Sequence, residues 1–152
     1  MAEKRLIQFE VRCIPPKATH HQKKIINVGG FSRLADKPQL KTAKAFWDTI
    51  FIDHQPDKPF DEAITVRVEL TWPWNQGDSK KLRALGRVWH ETSPDLSNMG
   101  KTIEDAMGRC GFFTNDSRIV ASHFLKFRGD NPGIRVCVQP AHATFTQAES
   151  TL

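Results

Sequence analysis

Apolar and polar residues alternate along four segments of the chain. In the clearest segment, Val66, Val68 and Leu70 alternate with Arg67 and Glu69. A period of two places apolar side chains on one face of a strand, so each segment predicts a β-strand. The predicted strands cover residues 5–14, 63–72, 118–127 and 134–138. The turn-forming residues 129–133, G-D-N-P-G, separate the last two strands, which predicts that they pair as a hairpin.

Helical spacing appears in two other segments. The first covers residues 41–54, and the second covers about 97–110 and ends at Gly111, a residue that suits the position after a helix. In the second segment, apolar residues at i, i+4, i+7, i+8 and i+11 predict one buried face: Met99, Ile103, Ala106, Met107 and Cys110. These elements follow one another in the order β-α-β-α-β-β, with a basic segment, residues 80–90, before the second helix; if that segment adds a strand, the order becomes β-α-β-β-α-β-like. We therefore expect an α+β fold, with a single mixed β-sheet and two main helices on one face.

The chain length fits one domain. We expect a domain over residues 1–139 and a flexible C-terminal tail over residues 140–152, because the chain is polar and small from Pro140 onward. No apolar run approaches the roughly 18 residues of a membrane span, and the N-terminus lacks a signal-peptide core. These features predict a cytoplasmic protein without a membrane partner. Three widely spaced cysteines predict free thiols rather than a disulfide framework.

Positive charge is concentrated in the first third of the chain. The net charge is +5, and residues 1–44 hold ten Lys and Arg against three acidic residues. Two segments contain basic residues without an acid, namely 17–27, which we interpret as a loop, and 80–90, which we interpret as a loop or a short helix. Such segments are typical of proteins that bind phosphates. The alternative is that the excess lysine only supports solubility.

Polar residues around the second predicted helix form a candidate metal site. Asp95 precedes the helix, Asn98 and Lys101 lie on its polar side, and Asp116 follows it. The helix is about 20 Å long, and residues 111–116 can return at most about 20 Å if they are extended. Carboxylates and an activated water are what Mg²⁺-dependent phosphodiester hydrolysis requires. The alternative is a helix cap at Asp95, turn residues at Asp116 and a surface lysine at Lys101.

Two motifs in this region carry a resemblance. They are P-D-L-S-N-M-G-K-T-I-E-D-A-M, residues 94–107, and G-F-F-T-N-D-S-R-I-V, residues 111–120. The chain resembles the RusA family of Holliday junction resolvases, crossover junction endodeoxyribonucleases that are common in phages and prophages. The family pattern is P-D-x-D-N-x-x-K, then a helix, then a D-D-S-x-I-type segment. A looser similarity extends over residues 126–136.

The resemblance implies roles for particular residues. Asp95, Asp116 and Lys101 match the catalytic residues, and the two aspartates match metal ligands, with Asn98 and Asn115 as further candidates. Two positions depart from the family pattern: Ser97 stands where the family has a metal-binding aspartate, and Asn115 stands where it usually has the first of two acids. Ser97 is the more serious departure, because the site loses the charge of a carboxylate there. Three acids are candidates to replace that carboxylate: Glu69, Glu91 and Asp105.

The resemblance also implies a substrate and an assembly. It implies a homodimer that binds four-way DNA junctions and makes paired symmetric nicks with Mg²⁺, or alternatively Mn²⁺. The basic segments are then expected to contact DNA through Lys17, His20, Lys23, Lys24, Lys80, Lys81, Arg83 and Arg87. The candidates for stacking on bases are Phe31, Trp72, Trp74 and Trp89, for which core or dimer packing is the alternative. The competing function is a junction-binding protein whose catalysis is weakened or lost through Ser97.

Overall fold

The computed structural model of the protein describes residues 5–19 and 23–141. Seven strands, three α-helices and one 3-10 turn follow one another along the described chain. In order, they are β1 (Ile7–Arg12), β2 (Lys23–Val28), β3 (Phe31–Asp36), α1 (Pro38–Asp53), β4 (Ile64–Trp72), α2 (Lys80–Arg83), β5 (Arg87–Trp89), α3 (Leu96–Arg109), the 3-10 turn (Asp116–Arg118), β6 (Ile119–Gly129) and β7 (Gly133–Pro140).

Five strands form one mixed sheet in the order β1-β7-β4-β6-β5. The β4–β6 pair is parallel, and the other three pairs are antiparallel. The predicted α+β class and mixed sheet are therefore confirmed. The central strand, β4, is the one with the clearest alternation: Val66, Val68 and Leu70 are fully buried, whereas Arg67 between them is exposed.

The predicted hairpin between the last two strands is wrong, because β4 lies between β6 and β7. The three residues between the two strands can cross the roughly 9.6 Å that separates strands two positions apart in a sheet. The turn signal at 129–133 is real, but it does not specify which strands pair. The pairing depends instead on how completely β4 is buried, and β4 is flanked by a strand on each of its two edges.

The two basic segments are more regular than we predicted. Residues 23–36 form a separate hairpin of β2 and β3, so the loop prediction for 17–27 is wrong from Lys23 onward. Gly29 and Gly30 both have positive φ, 57° and 81°, as a two-residue type I′ turn requires. The segment 80–90 contains α2 and the edge strand β5, which was not predicted. The sequences of β2 and β5 lack the repeated alternation of apolar and polar residues that identifies a half-buried strand.

The core lies between the sheet and the pair α1 and α3. The predicted apolar face of α3 is confirmed, since its five residues are all buried. From α1, Trp47 and Phe51 are fully buried and stack on each other with ring centroids 6.1 Å apart. Both main helices therefore cover the same face of the sheet, and neither of them covers the opposite face.

Two further predictions concern the C-terminal tail and membrane spans. Pro140 belongs to β7, and the Ala141 N–H donates to the carbonyl of Ala63 at 2.8 Å, so the sheet extends past the predicted start of the tail. Residues 142–152, where the rest of the predicted tail falls, lie outside the described residues. Among the described helices, none is both long enough and apolar enough to cross a membrane.

Replacing Ile103 with alanine should destabilise the protein by about 2–5 kcal/mol, because the residue is fully buried and its loss leaves a cavity. Urea unfolding followed by circular dichroism measures this change, with Lys41→Ala on the exposed side of α1 as the control. A loss below about 0.5 kcal/mol would contradict the assignment of α3 to the core.

Candidate functional site

Asp95 occupies the N-cap of α3 and is exposed to solvent. Its carboxylate accepts a hydrogen bond from the backbone N–H of Asn98 at 3.2 Å. This bond, followed by one from the Ser97 hydroxyl, lowers the pKa of Asp95, so the carboxylate is ionised at neutral pH. The predicted capping role is therefore real, but it leaves a charged and accessible group at the start of the helix.

The loop that leads to Asp95 is held by two residues that the sequence analysis did not identify. The Lys126 ammonium on β6 donates to the carbonyls of Thr92 and Pro94, both at 2.7 Å. A ring nitrogen of His90, which is buried against Trp72, lies 2.9 Å from the carbonyl of Ser93. Burial lowers the pKa of both Lys126 and His90. The position of Asp95 is thus set by β6 as well as by its own helix.

A sequence signal for Lys126 is its place in the alternation of β6. Lys126 pairs with Leu70, whose side chain faces the helices, so it lies two residues after Phe124 on the helix-facing side of the strand. A lysine on a core-facing position requires acceptors for its ammonium group. The sequence does not identify those acceptors, because the carbonyls of Thr92 and Pro94 are more than thirty residues away.

Lys101 lies on the exposed side of α3, one and a half turns after Asp95. Its ammonium forms an ion pair with Asp105 at 2.9 Å. This contact is the main cause of the raised pKa of Lys101, and the charge of Asp116 raises it further. Asp105 is therefore the partner of the predicted functional lysine.

Ser97 lines a groove of about 510 Å³ between α3 and β6. Lys101 and Glu104 line the same groove, because they follow Ser97 by four and seven residues on one side of the helix. The Glu104 carboxylate accepts a hydrogen bond from the Ser122 hydroxyl at 2.8 Å. Glu104 is thus an acid close to Ser97 that the sequence analysis missed, although the i+7 spacing in the sequence carries the signal.

Asp116 begins the 3-10 turn before β6 and is exposed. Asn115 caps this turn, since its side-chain oxygen accepts from the Ser117 N–H at 2.9 Å. The residues before the turn do not run back along α3. Instead they pair with Phe60, whose N–H donates to Phe112 at 2.8 Å and whose carbonyl accepts from Thr114 at 3.0 Å. The straight return on which our distance argument rested is therefore not formed.

As a result, the two aspartates lie toward opposite ends of α3. Asp95 is beside Lys126, and Asp116 precedes Ile119, the first residue of β6. Those two β6 residues are seven apart, a distance on the order of 20 Å along the strand. Among the described residues of one chain, no three His, Cys, Asp or Glu side chains are grouped so that they could hold a metal ion.

The other acids considered as replacements for the missing aspartate lie elsewhere or are already engaged. Glu69 faces the opposite side of the sheet, within 3.4–3.8 Å of three arginines. Asp105 pairs with Lys101, and Glu91 is exposed and acts electrostatically on Arg128. Of the acids in this region, Glu104 is the one that shares a groove with Ser97.

The predicted DNA contacts fall on separate elements. Lys17 is exposed, Lys23 and Lys24 lie on β2, and His20 lies outside the described residues. Lys80 and Lys81 are exposed on α2, but the Arg83 guanidinium donates to the carbonyls of Asn75 and Asp78 and so holds the preceding turn. Arg87 lies on β5, on the face opposite the helices, beside Glu69.

A comparison with protein families supports the motif analysis. The sequence model described as "Endodeoxyribonuclease RusA" matches residues 13–139, which is most of the chain. The match confirms the resemblance found in residues 94–107 and 111–120. No curated protein matches the chain significantly.

Replacing Lys126 with methionine should lower the free energy of unfolding by about 1–3 kcal/mol, because two hydrogen bonds from a charged donor are lost while the side-chain volume is kept. Lys101→Met is the matched control, because it removes one exposed ion pair, which is worth at most about 1 kcal/mol. Urea unfolding measures both. Equal losses in the two variants would show that Lys126 does not hold the loop before Asp95.

Proposed function

Because the chain belongs to the RusA family of endodeoxyribonucleases, we propose that it is a structure-specific nuclease that cuts four-way DNA junctions by paired, symmetric nicks with Mg²⁺. The observation that carries this proposal is the N-terminus of α3, where an ionised and exposed Asp95 is held by Lys126 beside a groove that contains Lys101. A net charge of +5 suits a polyanionic substrate.

We propose that Asp95 and Asp116 hold the metal ion and that Lys101 contributes positive charge near the phosphate. When it is bound, Mg²⁺ activates a water molecule and stabilises charge on the phosphoryl oxygens. The residues of a single chain do not fit such an ion, because the two aspartates are toward opposite ends of α3. A complete site therefore requires a second copy.

A homodimer resolves this separation. If a two-fold axis crosses α3, the start of one helix lies beside the end of its partner, so Asp95 of one copy approaches Asp116 of the other. The same axis generates a second, equivalent site. Two equivalent sites suit a junction that is cut on two strands of the same sequence.

A second candidate function follows from Ser97, which leaves the start of α3 with one carboxylate where the family has two. In this alternative, the protein binds junctions but cuts them slowly or not at all. Glu104 supports the nuclease, because it supplies an acid to the groove that Ser97 lines.

We expect Mg²⁺-dependent paired nicks in an end-labelled four-way junction, no nicks in linear duplex of the same sequence, and none on either DNA with Asp95→Asn. Ser97→Asp should lower the Mg²⁺ concentration for half-maximal cutting by roughly tenfold, equivalent to about 1.4 kcal/mol of cation binding. Ser97→Asn is the matched control, because it has the same shape without the charge. Tight junction binding by the unmodified protein, without cutting in Mg²⁺ or Mn²⁺, would favour the binding-only function.

Complementation tests the shared site. Asp95→Asn and Asp116→Asn chains, each inactive alone, should regain roughly a quarter of the nicking rate when co-expressed, because half of randomly mixed dimers are mixed and each of those has one intact site. The products should be single nicks, measured on a plasmid-borne junction. No recovery would show that each site is built from one chain. If the unmodified protein does not cut, the same comparison is made with Ser97→Asp in both chains.

A further inference from the structure

The face of the main sheet opposite α1 and α3, here called the open face, has an unusual set of side chains. Strand register places Glu10, Arg135 and Glu69 in one row across β1, β7 and β4. The next row contains Arg12 and ends with Phe127 and Trp89 on β6 and β5. The open face therefore combines guanidinium groups with an aromatic pair.

Positive charge exceeds negative charge around Glu69. Its side chain is 11% exposed and has three guanidinium groups within 3.4–3.8 Å, those of Arg67, Arg87 and Arg135. These arginines remain about half exposed, at 53%, 48% and 55%. Arg135 also pairs with Glu10 at 3.4 Å, and two carboxylates cannot satisfy three guanidinium groups, each with five donors. Arg12 forms no ion pair with any residue that the structure describes.

A groove of about 680 Å³ crosses this face. Arg12, Arg87 and Arg135 line it together with three acids, Glu10, Glu69 and Asp130. Gly129 and Gly133 lie where β6 and β7 meet the connecting turn, and a Cβ atom at either would lie 2.6–2.7 Å from a backbone oxygen of a neighbouring segment. The glycines therefore keep this end of the sheet free of side chains.

An aromatic platform lies beside the groove. Trp89 is 61% exposed, yet its ring stacks on Phe127 with centroids 4.7 Å apart and an interplanar angle of 20°. The guanidinium of Arg87 lies 3.7 Å from the centre of the same Phe127 ring. Trp89 is thus held in one orientation while much of its surface remains open for a further flat ring.

We propose that the open face binds a single-stranded stretch of branched DNA, with a phosphate on Arg12, which is not paired with a described carboxylate, and an unstacked base on Trp89. The inference rests on the proposed function, because it assumes a DNA substrate, and it adds a contact on the face of the sheet opposite the α3 groove. An exposed aromatic ring offers a stacking surface to any base, and an unpaired guanidinium on the same face offers a phosphate contact, which are the sequence-independent contacts that proteins use to bind single strands.

The test compares two labelled DNAs by fluorescence anisotropy in EDTA: a forked duplex with single-stranded thymidine arms, and a fully paired four-way junction. Trp89→Ala should weaken fork binding by at least about fivefold, the lower end of what one stacked base contributes, and Trp89→Phe should restore most of it. Arg12→Ala should reduce the slope of log affinity against log salt by about 0.7, as expected for one lost phosphate contact on a single strand. Lys41→Ala on α1 removes the same charge from the other side of the molecule and should leave fork binding unchanged.

The outcomes separate this inference from the proposed function. Unchanged fork binding by Trp89→Ala and Arg12→Ala, with junction cutting intact, would overturn the open-face site and leave the nuclease standing. A protein that binds neither DNA would overturn both. Conversion of a dimer to a monomer by Trp89→Ala, measured by sedimentation, would show that the open face joins two copies and would also overturn the proposal.

Discussion

The close packing of α3 against β6 is the contact on which the site depends. Gly100 faces the Phe124 ring, and a Cβ atom there would lie 3.2 Å from the ring atoms. The helix therefore lies directly on the strand. Two hydrogen bonds from β6 hold this alignment. The Lys126 ammonium donates to a carbonyl of the loop before the helix, and the Ser122 hydroxyl donates to Glu104 in the third turn of the helix. Together they set the direction of α3 and the place of every polar residue on it.

The same packing explains why one chain is insufficient for the proposed chemistry. Because α3 and β6 run antiparallel, the residue that caps the start of the helix meets the far end of the strand. Asp116 comes shortly before the first residue of β6. Phe60 and Asp61 hold the residues on either side of Asp116, because Phe60 bonds the backbone of Phe112 and Thr114 and Asp61 bonds the side chains of Thr114 and Arg118. Lys101 lies between the two aspartates along the helix and responds to the charge of Asp116. An assembly of two copies is the simplest way to give both carboxylates a common ligand.

The two faces of the main sheet carry different kinds of side chain. Its helix-covered side is apolar on β1, β7 and β4, whereas β6 contributes Ser122, Lys126 and Arg128 to it beside Phe124. Its open side places Arg67, Arg87 and Arg135 around Glu69, next to the exposed Trp89. A nuclease for branched DNA has to bind more than the scissile phosphate, and a second, charged face offers a place for another part of the substrate. Ser97 is where this chain departs from the family pattern on the first of those faces, and Glu104 shares its groove.

The sequence by itself determined the elements whose signals are local. Periodicity identified β4 and the buried face of α3, and the motif around Asp95 and Lys101 identified the family. Only the tertiary structure decided that β6 lies parallel to β4, that Lys126 holds the loop before Asp95, and that Asp95 and Asp116 are separated. These contacts join residues that are far apart in the chain, and they depend on which surfaces pack most completely. A local pattern of apolar and polar residues specifies the face a side chain occupies, but it does not specify the neighbour that the face will meet.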